Sequence, residues 1–317
     1  MQRAHAFAVA AAALACGAAA LRRPQLSPAP DAAPAGAPIA PASNAPEPAP
    51  TEAPPPTAAP SPPPPPDKSA PPWSQTRIPP IGIGEVVRGT AAGGRHLRIG
   101  TPSGAVHAWE PPGYARGTAA TVIYLHGYYT DADQAWLDHR LAEQFRASRR
   151  NALFIVAESP SWVGEDLWWP DLGRLLDAVT RAGVRLPSGP IVVAGHSGAF
   201  RTILAWLADP RLREVVLLDG LYRSEDAFDA WLAGAAPGAR RLVLVGQETA
   251  ARTEAWLAGH PDAVRRDAVP ARAPRRGDPA RTAPLVYYRS QLDHMALVTS
   301  GRVLPMLLEA SAIPATR

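Results

Sequence analysis

The sequence predicts an α/β domain built on a mostly parallel, doubly wound β-sheet, and three observations lead to this fold class. Short, continuous apolar runs recur along the C-terminal part of the chain, and segments with helical spacing separate them. Such runs are typical of strands covered on both faces, and strands that alternate with helices are typical of parallel sheets. The third observation is the segment IVVAGHSGAF at 191–200, where a strand pattern leads through a Gly-His-Ser-Gly turn into a helical pattern.

The predicted elements follow one another in a regular order. An antiparallel hairpin over 97–109 comes first, with its turn at 102–104. Six buried strands are predicted at 121–125, 152–157, 191–194, 214–218, 241–245 and 284–288. Helices are predicted at 133–147, 171–180 and 225–232. With the hairpin, these runs predict a sheet of about eight strands, and the short 221–238 connection predicts that no large cap domain is present.

The turn at 195–198 is suited to presenting a serine hydroxyl. Ser197 follows Gly195 and precedes Gly198, and Ala199 occupies the place where another glycine is usual, which gives the pattern G-x-S-x-A. Glycine suits a tight strand-to-helix turn because a neighbouring chain passes close to it. Functional groups collect at the carboxyl ends of parallel strands. The predicted strand ends carry, in chain order, a serine, two acids and a histidine: Ser197, Asp219, Glu248 and His294.

Taken together, several short motifs resemble the α/β-hydrolase superfamily over residues 95–308. They are LHGYY at 125–129, AGHSGA at 194–199, LLDG at 217–220, LVGQE at 244–248 and LDHM at 292–295. The resemblance implies the α/β-hydrolase fold and a serine hydrolase that needs no metal and no cofactor. It does not specify the substrate.

The resemblance also implies roles for individual residues. A serine hydroxyl needs a base within hydrogen-bonding reach, so Ser197 fits the nucleophile. The superfamily places the base after the last strand, which implies His294, with His196 and His126 as competitors that usually have structural roles. Backbone N–H groups of Gly198 and Tyr128 are the expected oxyanion hole.

The acid of the triad stays open between three carboxylates. The superfamily usually places it after the strand that follows Asp219, which corresponds to Glu248, and some members place it one strand earlier. We favour Asp219, with Glu248 as the alternative and Asp293 as a third choice. Asp131 and Asp133 could suggest calcium, but capping of the following helix explains them better.

Aromatic residues near the predicted strand ends are candidates for the substrate pocket: Tyr129, Trp162, Trp168 and Trp169. Aromatic walls suit an acyl chain, an aryl ester or a sugar face. The alternative is that the tryptophans pack the 161–170 loop onto the sheet.

The N-terminal part of the chain predicts export. Residues 1–20 resemble a signal peptide, and the context of Cys16, the single cysteine, resembles a bacterial lipoprotein signal. Residues 21–72 form a Pro/Ala-rich stretch, with 20 of the chain's 38 prolines between positions 24 and 72, and this composition predicts a disordered tether. The folded domain is expected over 73–317. We therefore expect a secreted or cell-envelope protein, anchored to a membrane through lipidated Cys16.

These observations lead to one expected function and two alternatives. The net charge of +4 lies largely in clustered arginines without interleaved aromatics, so we expect no nucleic-acid partner. The expected activity is hydrolysis of a small-molecule or lipid carboxylic ester through an acyl-enzyme. The alternatives are a serine peptidase or amidase at the cell envelope, and a non-catalytic binding protein that retains the fold.

Overall fold

A single mixed sheet of ten strands runs through the computed structural model, which describes residues 77–316. The strand order is β1-β2-β3-β5-β4-β6-β7-β8-β10-β9. The strands are β1 (Val86–Ala91), β2 (Gly94–Thr101), β3 (Gly104–Glu110), β4 (Ala120–Leu125), β5 (Ala152–Ala157), β6 (Ile191–His196), β7 (Leu212–Leu218), β8 (Arg241–Gly246), β9 (Val264–Arg266) and β10 (Leu285–Arg289). The predictions for residues 1–20, for Cys16 and for the 21–72 tether lie outside the described residues.

The sheet is parallel from β5 to β9 and antiparallel at its N-terminal edge. Strands β1, β2 and β3 pair antiparallel with one another, and β3 pairs antiparallel with β5. All the other pairs are parallel. The predicted fold class, a mostly parallel sheet with an N-terminal antiparallel hairpin, is confirmed.

The prediction of about eight strands was too low because both edge strands escaped it. Four of the six residues of β1 are exposed, so this strand has no apolar run. Strand β9 has only three residues, two of which are exposed arginines. Short or polar edge strands of this kind protect a sheet from pairing with another chain.

Helices cover both faces of the sheet. They are α1 (Ala132–Asp138), α2 (Leu141–Ala147), α3 (Leu172–Arg181), α4 (Phe200–Trp206), α5 (Glu225–Ala233), α6 (Ala250–Leu257), α7 (Ala296–Thr299) and α8 (Val303–Ala310). Alternate residues of one strand feed two separate cores: Ile123 of β4 belongs to the core beneath α3–α6, and Tyr124 belongs to the core beneath α1, α2, α7 and α8. This alternation follows from the two-residue period of a strand.

Two connections near the site can be compared with their predictions. The helix predicted at 133–147 is two helices, because Arg140 has a left-handed backbone (φ +49°) between α1 and α2. The connection from β7 to β8 holds only α5, as the prediction of no large cap domain requires. None of the helices within residues 77–316 combines the length and the apolar composition that a membrane span requires.

Candidate active site

Ser197 lies on a sharp turn between β6 and α4. Strand β6 ends at His196, and a single 3-10 turn over Ser197–Ala199 leads into α4. Ser197 has a left-handed backbone with φ of +50°. A non-glycine residue in this region costs about 1–3 kcal/mol and persists only where the surroundings enforce it.

The glycines beside Ser197 are required by close packing. A Cβ on Gly195 would lie 2.5 Å from the Cδ1 atom of Ile203, and a Cβ on Gly198 would lie 2.3 Å from the Tyr128 ring. The side chain of Ala199, at the last position of the pattern, is buried within the core. The turn is therefore held by packing on both of its flanks.

Asp219 follows β7 at the neighbouring strand end and is fully buried. Its carboxylate accepts hydrogen bonds from the backbone N–H groups of Gln247 (2.9 Å), Glu248 (3.0 Å) and Thr249 (2.9 Å), and from the Thr249 hydroxyl (2.8 Å). These donors come from the loop after β8, so the ends of two adjacent strands fix this carboxylate.

His294 is oriented by Asp219. Its Nδ1 atom lies 2.7 Å from Oδ2 of Asp219 and 3.7 Å from Oε2 of Glu248. The Glu248 side chain is 56% exposed, whereas the Asp219 side chain is inaccessible. The shorter, buried and better-bonded contact is the one with Asp219.

This contact changes the pKa of both partners. Burial alone would raise the pKa of Asp219, but the hydrogen bonds from His294 and three backbone amides outweigh burial and hold that pKa well below its usual range. Burial alone would lower the pKa of His294, but its hydrogen bond to Asp219 and the nearby charge of Glu248 raise it above the usual value. The pair is therefore a carboxylate that stabilises a positive charge on the imidazole.

Contacts between neighbouring residues place the serine at the same edge as this pair. The Nε2 atom of His196 donates to the backbone oxygen of His294 at 3.1 Å, since a carbonyl can only accept. Gly220 packs against the backbone oxygen of Ser197, because a Cβ there would lie 3.2 Å from it. Ser197, Asp219 and His294 thus lie at one edge of the sheet, each after a different strand.

The two competing histidines have other partners. His196 is buried against the His294 ring, with ring centres 4.5 Å apart. Burial, with the charges of His294 and His139, lowers the pKa of His196 well below the usual value. His126 is fully buried, and its Nδ1 atom donates to the backbone oxygen of Gly127 at 2.8 Å.

His126 thereby orients the peptide that joins Gly127 to Tyr128. The carbonyl of Gly127 and the N–H of Tyr128 belong to one planar trans peptide, so they point in opposite directions. Fixing the carbonyl fixes the direction of the N–H. A Cβ on Gly127 would lie 2.9 Å from the Cβ of Ser197, so this peptide packs directly against the serine.

Glu158 and Ser159 contact the other ring nitrogen of His126. The Nε2 atom of His126 lies 3.0 Å from Oε2 of Glu158 and 3.0 Å from the backbone nitrogen of Ser159. Since Nδ1 donates to Gly127, the Nε2 atom of the neutral ring accepts from the backbone N–H of Ser159, and the Glu158 carboxylate lies alongside. Oε2 of Glu158 accepts from the backbone N–H of Ala132 at 3.2 Å, so it ties the start of α1 to the same loop.

The aromatic pocket candidates divide into two groups. Tyr129, Trp162 and Trp168 are exposed. The prediction that Trp169 lines the pocket is corrected: this side chain is only 4% exposed and packs in the core beneath α3–α6. The alternative, packing of the loop onto the sheet, applies to Trp169, whose backbone oxygen accepts from Nε1 of the buried Trp206 at 2.8 Å.

Two residues at this edge were missed by the sequence reasoning. Tyr222 lies beside Ser197 and Glu248, and burial raises the pKa of its hydroxyl to about 12. Its position three residues after Asp219, in the loop that leaves β7, is the signal that could have found it. Val163 is exposed at the tip of the 161–170 loop, and a single valine in a loop gives no comparable signal.

Asp219 and Asp131 are already hydrogen-bonded to protein groups. Asp219, Glu248 and His294 place three possible ligand atoms within 4.8 Å of one another, but both oxygens of Asp219 already accept hydrogen bonds. Asp131 caps α1 by accepting from Gln134 N at 2.7 Å, as predicted.

The capping predicted for Asp133 is wrong, because Asp133 lies inside the first turn of α1 and its oxygens meet other side chains. Asp133 forms an ion pair with Arg98, and one of its oxygens lies 2.9 Å from His107. The calcium site considered for Asp131 and Asp133 has no geometric support, because their oxygens bind different protein groups.

The site has a serine with left-handed backbone between a strand and a helix. An acid and a histidine follow later strands, and the chain order is Ser-Asp-His. The chain has the α/β-hydrolase fold. Neither a protein-family model nor a curated protein sequence matches this chain.

Solved structures with similar folds include three hydrolases. One is an S-formylglutathione hydrolase from Agrobacterium tumefaciens, at 14% identity over 71% of this chain and 98% of that chain, with a TM-score of 0.45. Another is FphF, a fluorophosphonate-binding serine hydrolase of Staphylococcus aureus, at 11% identity over 72% and 99% of the two chains, with a TM-score of 0.45. The feruloyl esterase module from Clostridium thermocellum is 11% identical over 72% and 87%, with a TM-score of 0.42. The likeness concerns the fold; the site residues rest on the distances given above.

Proposed function

We propose that this chain is a serine hydrolase that cleaves carboxylic esters through an acyl-enzyme. The observation that carries the proposal is the 2.7 Å contact between the buried Asp219 carboxylate and His294, at the sheet edge where Ser197 occupies a left-handed turn. Strained backbone at a residue of this type is common at catalytic sites. A buried carboxylate on Nδ1 leaves the Nε2 atom of His294 free to act on the serine.

The chemistry follows from these positions. Nε2 of His294 takes the proton from the Ser197 hydroxyl while Oγ bonds to the ester carbonyl carbon, and Asp219 stabilises the imidazolium. The carbonyl oxygen becomes an oxyanion, for which the N–H groups of Gly198 and Tyr128 are the proposed donors. The C–O bond to the alcohol then breaks, and the proton on His294 passes to the leaving oxygen. Water repeats the sequence on the acyl-enzyme, which releases the acid and regenerates the Ser197 hydroxyl.

Asp219 is the proposed acid, and Glu248 has a secondary part. The Glu248 carboxylate is exposed and 3.7 Å from Nδ1, so it adds negative charge near the imidazole without holding its orientation. Tyr129, Trp162 and Trp168 are proposed to contact the substrate from the edge of the site, since their side chains are exposed there.

The proposal is tested by covalent labelling of the full chain. A fluorophosphonate probe reacts with an activated serine, and mass spectrometry locates the adduct. We expect the adduct on Ser197, and we expect it to be lost in Ser197→Ala and His294→Ala. Ser188→Ala is the matched control, because Ser188 is an exposed serine just before the opposite end of β6.

Hydrolysis then separates the reaction classes. Release of 4-nitrophenol from 4-nitrophenyl butyrate with no release of 4-nitroaniline from acyl anilides or peptide anilides supports the esterase. Faster cleavage of the anilides would favour a peptidase or amidase instead. A folded chain that neither labels nor hydrolyses any of these compounds would indicate a non-catalytic binding protein.

A further inference from the structure

Exposed apolar side chains are concentrated around the nucleophile. Among the described residues, seven large hydrophobic side chains are exposed, and two of them, Ile83 and Val87, lie in the N-terminal part that leads into and forms β1. The other five lie on the loops that follow β4, β5 and β7, and we call them the apolar rim: Tyr129, Val163, Trp162, Trp168 and Tyr222. Exposed apolar groups collected in one region mark a surface that binds something.

One backbone hydrogen bond joins the first two of these loops to each other, and an arginine side chain joins the second loop to the helix that follows Ser197. Tyr129 N donates to the backbone oxygen of Ser161 at 2.8 Å. Arg201, in the first turn of α4, donates to the backbone oxygens of Trp162 (3.3 Å) and Glu165 (2.6 Å). The 161–165 segment is therefore held in place, and its apolar side chains are displayed from a fixed loop.

Tyr222 extends the apolar rim to the other side of Ser197. Its hydroxyl lies beside Ser197, and its ring centre is 5.8 Å from that of Phe200, the first residue of α4. The rim thus has aromatic groups on the oxyanion side, on the 161–168 loop and on the loop that leaves the acid strand. These loops and the Ser197 turn follow neighbouring strands at the same edge of the sheet.

The exposure of the rim indicates the kind of substrate. A pocket for a soluble small molecule encloses about 70–90% of its ligand, with apolar side chains facing inward. Here the apolar groups face solvent, and Val163, which is 77% exposed at a loop tip, has only an aliphatic side chain to offer. A broad apolar phase would cover such groups, and tryptophan and tyrosine suit the boundary between an apolar phase and water.

We propose that the apolar rim is a docking surface for water-insoluble acyl esters, and that this hydrolase acts on acyl chains presented at a lipid–water interface. The inference rests on the proposed serine-esterase function and adds the physical state of the substrate. Docking places the ester bond at Ser197 while the rim side chains enter the apolar phase.

The test compares two variants of the full chain that place the same charge at equally exposed positions. Val163→Asp alters the rim, and Ile83→Asp alters the N-terminal part, where Ile83 is 75% exposed against 77% for Val163. Because both variants keep the N-terminal segment, any membrane affinity of that segment affects them equally. Rates are measured on dissolved 4-nitrophenyl butyrate and on tributyrin from below to above its solubility limit.

We expect the tributyrin rate of the unaltered chain to rise sharply once droplets form. Burial of one valine side chain is worth enough to change binding by about tenfold. Val163→Asp should therefore lower the ratio of emulsion rate to soluble-ester rate by about tenfold, and Ile83→Asp should leave this ratio unchanged. Simple saturation by dissolved tributyrin, or equal ratios in the two variants, would overturn the proposal.

A binding measurement separates this inference from the proposed function. Ser197→Ala protein mixed with tributyrin droplets should be depleted from the water phase, and Val163→Asp should reduce that depletion more than Ile83→Asp does. If the droplets deplete the protein through the rim but the unaltered chain hydrolyses no ester, the esterase is refuted and a lipid-binding surface remains. Hydrolysis of dissolved ester with no rim-dependent depletion would support the esterase and refute the docking surface.

Discussion

The Nδ1 atom of His294 lies 2.7 Å from Asp219 and 3.7 Å from Glu248, two carboxylates that follow adjacent strands. The one-ångström difference coincides with a difference in surroundings, because Asp219 is buried among four donors from the loop after β8 and Glu248 faces solvent. A buried, fully bonded carboxylate holds an imidazole in one orientation, whereas an exposed one contributes charge.

Asp219→Asn and Glu248→Gln should therefore differ greatly in activity. Loss of the orienting carboxylate lowers kcat by about 1,000- to 10,000-fold in a serine–histidine–acid triad. Removal of the exposed charge should lower it by less than about tenfold. Steady-state kinetics on 4-nitrophenyl butyrate measure both, and equal losses would mean that neither carboxylate is the orienting acid.

The pH dependence should report the raised pKa of His294. The base must be neutral to take the serine proton, so kcat/KM should fall as the pH drops through that pKa, which lies above the usual histidine value. Glu248 is one of the groups that raise it. Glu248→Gln should therefore shift the acidic limb of the kcat/KM profile to lower pH. An unmoved limb would show that Glu248 does not act on His294.

Ser197→Ala should abolish turnover with little effect on stability. The hydroxyl is the proposed reacting group, whereas alanine keeps the Cβ and the same left-handed backbone. The free energy of unfolding should change by less than about 0.5 kcal/mol, as for substitutions that create no cavity and bury no polar group. Urea denaturation and ester hydrolysis measured on one preparation check the two halves of this prediction.

Gly198→Ala should damage both the site and the fold. The added Cβ would lie 2.3 Å from the Tyr128 ring, so the ring or the turn must shift. Overpacking of this kind costs about 1–3 kcal/mol. Gly117→Ala is the control, since a Cβ there would meet no atom within 4 Å. A Gly198→Ala protein with the stability and activity of the control would show that the Tyr128 ring moves freely.

Glu158→Gln and His126→Ala should slow acylation without a matching change in KM. His126 orients the peptide whose N–H belongs to Tyr128, and Glu158 contacts the other ring nitrogen of His126 at 3.0 Å. The loss of an oxyanion donor costs about 100- to 1,000-fold in kcat. A misdirected donor should cost at least about tenfold. The rate of fluorophosphonate labelling reports this step directly. Glu158→Gln preserves shape, so a normal labelling rate in that variant counts against the positioning role even if His126→Ala fails to fold.

The sequence predicts the centre of this fold well because buried parallel strands are continuous apolar runs. All six predicted parallel strands, including β6 before Ser197, are present. The edge strands β1 and β9 lack such runs because one or both faces meet water. The sequence also did not predict the break between α1 and α2 at Arg140, since arginine gives no local signal for a left-handed backbone.

The candidate site was predictable to the extent that strand ends define it. The Ser197 turn and the placement of Asp219 and His294 at later strand ends follow from the order of elements. Which acid meets His294 depends on the path of the 290–295 loop, and composition does not encode that path. The burial of Trp169 beside exposed Trp168 depends likewise on which way each side chain leaves the loop.

The strand order has a consequence for the timing of activity during synthesis. Strand β10 is inserted between β8 and β9, and His294 follows it, 75 residues after Asp219. A ribosome that has produced residues up to β8 holds a chain with the proposed nucleophile and acid but without the proposed base. If the proposed function holds, hydrolytic competence arrives only after the last strand, and a chain that stops short of it carries a serine without its base.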